Sequence, residues 1–309
     1  MTRDYTIGMV MLIAIAALWG LGFVFQAKGM DHLGPFTFNA IRFAMGALSI
    51  VPVIVIFSDK KLKTDTLVMI KGGALAGVFM FFGITLQQYG LLYTTAGKSA
   101  FITGLYIIFV PLIGLFLGQR FGAKVWFAAV LAFTGLYLLS ETTGLAIGKG
   151  ELLTVICALF WAGVVIINGR YAGQVDGPKY AFVQFLVVVG LSLPFALILE
   201  HHDLSDIWAA REALLFVGIL NTGVAMTVQV LAQKRVPPMQ AALVMSLETV
   251  FGAFGGWLLL NEMFTNQMLL GCALMLAGLV LAQLPGRRER KPIRWFFRRR
   301  NTAIEIDKS

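Results

Sequence analysis

Ten apolar runs, each close to the length a helix needs to cross hydrocarbon, follow one another along this chain. They cover 7–26, 36–57, 68–92, 99–118, 124–140, 150–170, 179–199, 212–233, 239–260 and 266–284. A membrane-spanning helix takes about 20 predominantly apolar residues. These runs are too long for barrel strands and do not alternate as such strands do. Of the 309 residues, 58% are hydrophobic and 13% are charged. A soluble domain carries about 25% charged residues, so a soluble fold would have nowhere to hide this apolar surface. The expectation is an all-α integral membrane protein with ten transmembrane helices and short connections. Run 7–26 continues past the small-residue site Ala14-Ile15-Ala16 to Phe25, too long for the core of a cleaved leader.

The net charge of +9 is distributed unevenly. With the N-terminus in the cytoplasm, Arg3, Lys60, Lys61, Lys63, Lys71, Arg120, Lys124, Arg170, Lys179, Lys234 and Arg235 all fall on the inner side. The opposite face holds only Lys28, Lys98, Lys149 and Arg211. Lys and Arg stay on the cytoplasmic side, so both termini are expected there, in a bacterial inner (plasma) membrane. The tail RRERKPIRWFFRRR, 287–300, reads as a segment lying on the anionic leaflet rather than a nucleic-acid site. Cys157 and Cys272 lie in apolar runs and read as small hydrophobes. His201-His202-Asp203 reads as a solvated loop. No spacing of ligands predicts a metal or a cofactor.

An offset of 142–143 residues brings the two halves into correspondence. Trp19 meets Trp161, Gln26 meets Asn168, Lys28 meets Arg170, Gln87 meets Gln229 and Phe121 meets Phe264. Gly34-Pro35 meets Gly177-Pro178, and Gly135-Leu136 meets Gly278-Leu279. Each half holds five spans, and an odd number inserts the second half upside down. The chain therefore divides into a first five-helix repeat (1–143), a second (144–286) and a basic cytoplasmic tail (287–309). Inverted repeats place a substrate site near the bilayer midplane, between the halves.

Polar side chains inside the runs mark where that site would be. The stretch ALVMSLETVFGAF, 242–254, puts Glu248 among apolar residues. A central charge costs about 2.5–3.5 kcal/mol on insertion scales. Glu248 reads as a site carboxylate that holds a substrate amine or binds and releases a coupling proton; the plainer reading is a hydrogen bond to a neighbouring helix. Asn221 and Thr222 lie at mid-span on the preceding run. Trp19 and Trp161 are candidates for stacking walls. Gln87 and Gln88 point about 100° apart on a helix, so only one faces a cavity squarely. Tyr106 joins them, with Thr103 and Ser246 as weaker candidates. Arg42, in the outer part of the second run, reads as snorkelling outward or anchoring a gate. Gly73-x-x-x-Gly77, Gly114-x-x-x-Gly118 and Gly252-x-x-x-Gly256 read as surfaces of close helix approach.

Four stretches carry a family resemblance: ALWGLGFVFQAKG (17–29), FNAIRFAMGAL (38–48), YGLLYTTAGKSAFITGLYIIFVPLIGLFLGQRFG (89–122) and SLETVFGAFGGWLLLNEMFTNQMLLGCALMLAGLVL (246–281). The chain resembles the ten-helix EamA-type members of the drug/metabolite transporter superfamily over about 5–285. The resemblance implies a carrier of small organic metabolites, many relatives exporting amino acids, with a cavity lined by spans one, three, four, six, eight and nine. Thr249 stands where many relatives have proline, so no proline imposes a kink there, and Gln119 stands where a Glu is usual. The reading is a secondary transporter exporting a small organic metabolite, such as an amino acid or derivative, by alternating access, with protons as the candidate coupling ion; the resemblance implies proton-coupled, exchange-type or facilitated transport. Uptake by the same fold, a channel and a membrane-embedded enzyme are the alternatives. No HExxH, GxSxG or P-loop motif supports catalysis, and no filter loop or charged ring suggests a pore. Oligomeric state is not encoded in any pattern seen here.

Overall fold

The computed structural model describes residues 3–57, 65–94, 96–119, 121–139, 148–252, 254 and 265–283. The described residues form helices and connections, with no strand among them. In order these are α1 (Arg3–Met30), α2 (Pro35–Phe57), α3 (Thr66–Leu91), α4 (Ala96–Thr103), α5 (Tyr106–Phe116), α6 (Ala123–Leu139), α7 (Lys149–Tyr171) and α8 (Gly177–Leu199). Then come α9 (Leu204–Ala209), α10 (Arg211–Leu215), a π-helical segment (Phe216–Met226), α11 (Thr227–Gln233) and α12 (Pro238–Met245). Helix resumes at Glu248 as α13, described at 248–252 and 254, and α14 spans Asn266–Gln283.

Seven of the described helical stretches are long and apolar enough to cross a membrane, and two further apolar helices, Ala123–Gly135 and Asn266–Leu281, are shorter. The expected run 239–260 is described only through 252 and at 254. Lys60, Lys61, Lys63, Arg120, Gly256, Phe264 and the basic tail lie outside the described residues.

Local chemistry sets the helix ends. The Asp65 carboxylate accepts from Leu67 N at 2.9 Å, and Asp176 accepts from Lys179 N at 3.3 Å, with Pro178 in the first turn of α8. Each cap satisfies a donor that a helix start leaves unpaired. At the end of α5, Gly118 takes φ 76°, Gln119 N donates to Gly114 O at 2.8 Å, and Gly118 N donates to Leu115 O at 2.8 Å. That pair of bonds is a Schellman stop, and its left-handed residue calls for glycine. The Gly114–Gly118 pair is therefore a helix terminator, not the approach surface its spacing suggests. A Cβ on Gly114 would meet Phe121 and Gln119 of the turn that follows.

Gly73 and Gly77 do mark a close approach, since a Cβ there would meet Val183 and Val187 of α8. Gly252 lies against Gly20 of α1. Such contacts let backbones approach where lipid supplies no hydrophobic drive between helices. The principal pairings are α3 with α7, α2 with α8, and α6 with α14. Leu48, Val55, Phe116, Phe127, Leu197 and Ile198 are exposed. In water this would be a liability, whereas in a bilayer it is the lipid-facing coat.

Three expected spans are not continuous helices. Run 99–118 is interrupted between α4 and α5 at Gly104-Leu105. Run 212–233 contains the π segment. Run 239–260 is interrupted at Ser246-Leu247. The last break forms without a proline: Leu247 N bonds Val244 O at 3.1 Å and Thr249 N bonds Ser246 O at 3.2 Å, the tighter three-residue spacing. Element boundaries also recur. α2 and α8 begin at 35 and 177 and end at 57 and 199, both an offset of 142. α4 and α12 run 96–103 and 238–245, the same offset again. The two interruptions, at 104–105 and 246–247, share it.

Candidate functional site

The interrupted segments converge on one cavity. α1 contributes Trp19, Phe23 and Gln26, and α2 contributes Arg42. α3 supplies Ile84 and Gln87, and α7 supplies Trp161 and Val165. The π segment brings Asn221, Thr222 and Met226, and α11 brings Gln229. The α4/α5 break presents Thr103 and Tyr106 on its two sides, and the α12/α13 break presents Met245 and Glu248. The open space is about 40 Å³, room for a few waters.

Each irregularity has a consequence in the wall. A π segment and a helix break both displace backbone groups from their regular partners. Within the π segment, the backbone carbonyl of Asn221 accepts from the Trp19 indole Nε1 at 3.2 Å. Trp19 and Trp161 meet with ring centroids 6.4 Å apart and planes tilted by 46°. Gln87 Nε2 donates to Thr103 Oγ1 at 3.1 Å across the α3–α4 contact. Arg42 donates from one terminal guanidinium nitrogen to Gln26 Oε1 at 2.8 Å, and its cationic plane lies 5.0 Å from the Phe43 ring centroid and 5.6 Å from that of Phe38.

What remains unpaired is as informative. Glu248 is 4% exposed and one of its carboxyl oxygens has no partner. The Tyr106 hydroxyl neighbours that carboxyl and stops short of a well-formed hydrogen bond. Unpartnered polar atoms also belong to Arg42, Trp161, Asn221, Thr222 and Gln229. A buried polar atom left unpaired costs about 1–3 kcal/mol. Several around one space define a surface suited to binding a polar molecule or water.

The residues singled out in the sequence are distributed as follows. Glu248, Asn221, Thr222, Trp19, Trp161, Gln87, Tyr106 and Arg42 all line the cavity. Gln88 does not: it is fully buried elsewhere, with neither amide atom partnered. Arg42 does not snorkel, being 1% exposed and turned inward, because Gln26 and two rings hold its head within the bundle. Its presence adds the second span to the six that the family resemblance implied. Gln26 and Gln229 also line the cavity; the sequence presents them as members of repeat pairs, and a polar residue inside an apolar run is signal enough to mark them. Ser246 does not line the cavity; its hydroxyl bonds back to Leu243 O at 2.9 Å. The loop at 200–203 is more than solvated. Glu200 accepts from Phe36 N, Thr37 N and Thr37 Oγ1 at 3.0, 2.7 and 2.7 Å, and His202 Nε2 accepts from Gly34 N at 2.9 Å. Among the described residues, no group of acidic, His and Cys side chains is placed to hold a metal.

A coat of apolar side chains around an internal cavity lined in part by buried polar groups, enclosed by interrupted helices, is the build of a membrane transport protein. Comparison with known proteins agrees. The model of the EamA-like transporter family matches twice, over residues 6–141 and 148–284. The chain belongs to the EamA-like transporter family, within the drug/metabolite transporter superfamily. It is 29% identical over 274 residues to an uncharacterized transporter of Archaeoglobus fulgidus, covering 88% of this chain and 84% of that one. It is 25% identical to the threonine/homoserine exporter RhtA of Escherichia coli K12, covering 92% and 93%. A shorter match, 23% identical over 54% of this chain and 56% of the other, is to an S-adenosylmethionine uptake transporter of Rickettsia prowazekii. A crystal structure superposes with a TM-score of 0.70 at 17% identity, over 89% of this chain and 96% of that one, a likeness of fold.

Proposed function

We infer that this protein is a secondary transporter that exports a small organic metabolite, an amino acid or derivative, by alternating access. The observation that carries this reading is the cavity: unpartnered polar atoms of Glu248, Asn221 and Thr222 lie in the heart of an apolar-coated bundle, at the points where helices are irregular, with Gln229 of α11 beside them. Binding at such breaks lets backbone groups take part, and rocking of one half on the other exposes the site to each side in turn.

Ten spans arranged as two inverted five-helix repeats, 1–143 and 144–286, suit the recurring offset of 142. The hydrogen bond from Arg42 to Gln26 is echoed by that from Gln184 to Asn168 at 3.3 Å, each partner 142 residues on. The one-sided distribution of Lys and Arg favours cytoplasmic termini in a bacterial inner membrane. Export, rather than uptake, is favoured by similarity to RhtA over nearly the whole chain, against about half for the uptake transporter. In the proposed cycle Glu248 carries a proton when the site is empty and releases it to water when a cationic substrate group binds in its place.

Metabolite profiling of the medium tests this reading. Cells expressing the protein should enrich a small metabolite outside, relative to empty-vector cells. Purified protein in liposomes should then move that compound. Depletion instead of enrichment would reverse the direction, and the absence of flux across a broad panel would end the transport reading.

A further inference from the structure

We propose that the cavity selects a zwitterion with free amino and carboxyl groups, its carboxylate taken by Arg42 and its ammonium by Glu248. The proposal rests on the transport reading above and assigns Arg42 to substrate recognition.

Arg42 is a buried cation without a counter-charge. No carboxylate lies within ion-pair distance of it among the described residues. A guanidinium stays protonated in proteins, and a buried charge left uncompensated is costly. Gln26 takes up one nitrogen, while Nε and the other terminal nitrogen have no partner. Those two nitrogens form one edge of the guanidinium fork, the edge that grips a carboxylate by two parallel bonds.

Glu248 is the complementary case, a buried carboxyl with a free oxygen facing the same space. The two ionisable groups share a cavity and yet do not pair. Their depths differ. Gly20 of α1 packs against the backbone carbonyl of Glu248, while Gln26, which binds Arg42, is six residues further along the helix, so the backbone that carries Glu248 and the partner of Arg42 differ by about 9 Å of rise along α1. An α-amino acid carries its ammonium and carboxylate on one carbon, so both can be met from two walls of one cavity by charge-assisted hydrogen bonds of about 2.8 Å. A ligand bearing only an ammonium would leave Arg42 bare, and one bearing only a carboxylate would leave Glu248 bare.

The offset of 142 supplies an internal control. The mate of Arg42 is Gln184, which bonds Asn168 as Arg42 bonds Gln26. The mate of Glu248 is Tyr106. Neutral side chains thus fill the equivalent places in the fold, so packing alone demands neither charge. What distinguishes the charged member of each pair is the ligand it can hold.

The test uses the full-length protein in liposomes. Each proteinogenic amino acid would be assayed for counterflow, and every active one compared with its C-terminal amide, which keeps only the ammonium, and its N-acetyl form, which keeps only the carboxylate. Both derivatives should compete about 10–100-fold less well than the parent, the range for losing a charged hydrogen-bonding partner. Arg42→Gln should erase the preference for parent over amide, and Glu248→Gln the preference for parent over N-acetyl form, each sparing the other preference. Misfolding does not produce that crossed pattern. Arg42→Lys should keep the preference for parent over amide at weaker affinity, which covers a failure of Arg42→Gln to fold. Equal competition by all three forms, unchanged preferences in folded variants, or flux confined to singly charged compounds would overturn the zwitterion site while leaving transport intact. No flux of any compound in a wider metabolite panel would instead overturn the transport reading on which it rests.

Discussion

Two polar clusters on α2 lie little more than a turn apart and differ in how they are satisfied. At the start of the helix, the Glu200 carboxylate takes three donors from Phe36 and Thr37, and His202 takes a fourth from Gly34. These are the donors that a helix start leaves open, met by an acceptor that also suits the positive end of the helix dipole. Deeper in the bundle, Arg42 has one hydrogen bond and two bare nitrogens. The first cluster ties α2 to the connection after α8, and nothing in it calls for a ligand. The second is held in place and left incomplete. Polar groups that complete one another hold structure together, and those that stay open are where a solute can bind.

Substitutions should separate the two clusters. The largest effect is expected from Glu248→Gln, which keeps the shape of the cavity and removes its anion. Net export measured in the medium should fall to the empty-vector level while exchange in liposomes persists, and the purified protein should unfold at or above the wild-type temperature; full export would reduce Glu248 to a structural residue. Glu200→Ala should do the reverse. Losing a charged acceptor of three donors is expected to cost about 1–3 kcal/mol, read as a lower unfolding midpoint in detergent, with the preference among ligands intact. A changed preference would break the distinction between the clusters.

Trp19→Phe removes the indole donor to the Asn221 carbonyl, worth about 1 kcal/mol. It should weaken apparent substrate affinity roughly fivefold, with a small change in midpoint. His202→Ala should be the mildest, lowering stability by about 0.5–1.5 kcal/mol through loss of one neutral acceptor. Its flux should match wild type, and a large loss of flux would give the collar around Gly34 a part in the transport cycle.

Much of the site was legible because lipid is an unforgiving solvent for polar side chains. Glu248, Asn221, Thr222 and Gln87 stood out inside apolar runs, and all face the cavity. Counting along a run locates depth well, since a helix rises steadily. It locates direction less well, which is why counting alone does not separate Gln87 from Gln88 and leaves Arg42 between snorkelling outward and anchoring a gate. The glycines at 114 and 118 misled for a related reason: the same spacing serves a packing face and a helix stop, and only the left-handed backbone at Gly118 distinguishes them.

The apolar runs by themselves determined that the chain is helical and belongs in a membrane, since backbone polar groups in hydrocarbon must pair within their own segment. The polar intruders determined which residues would shun the lipid. Tertiary structure alone decided where the helices break, that Thr249 follows an interruption made without proline, and that Trp19 meets Trp161 across the cavity. It also decided that Arg42 and Glu248 share one space unpaired. The meeting of Trp19 with Trp161, and of Arg42 with Glu248 around one space, joins residues more than a hundred positions apart, and no local periodicity records which side chains such contacts leave open.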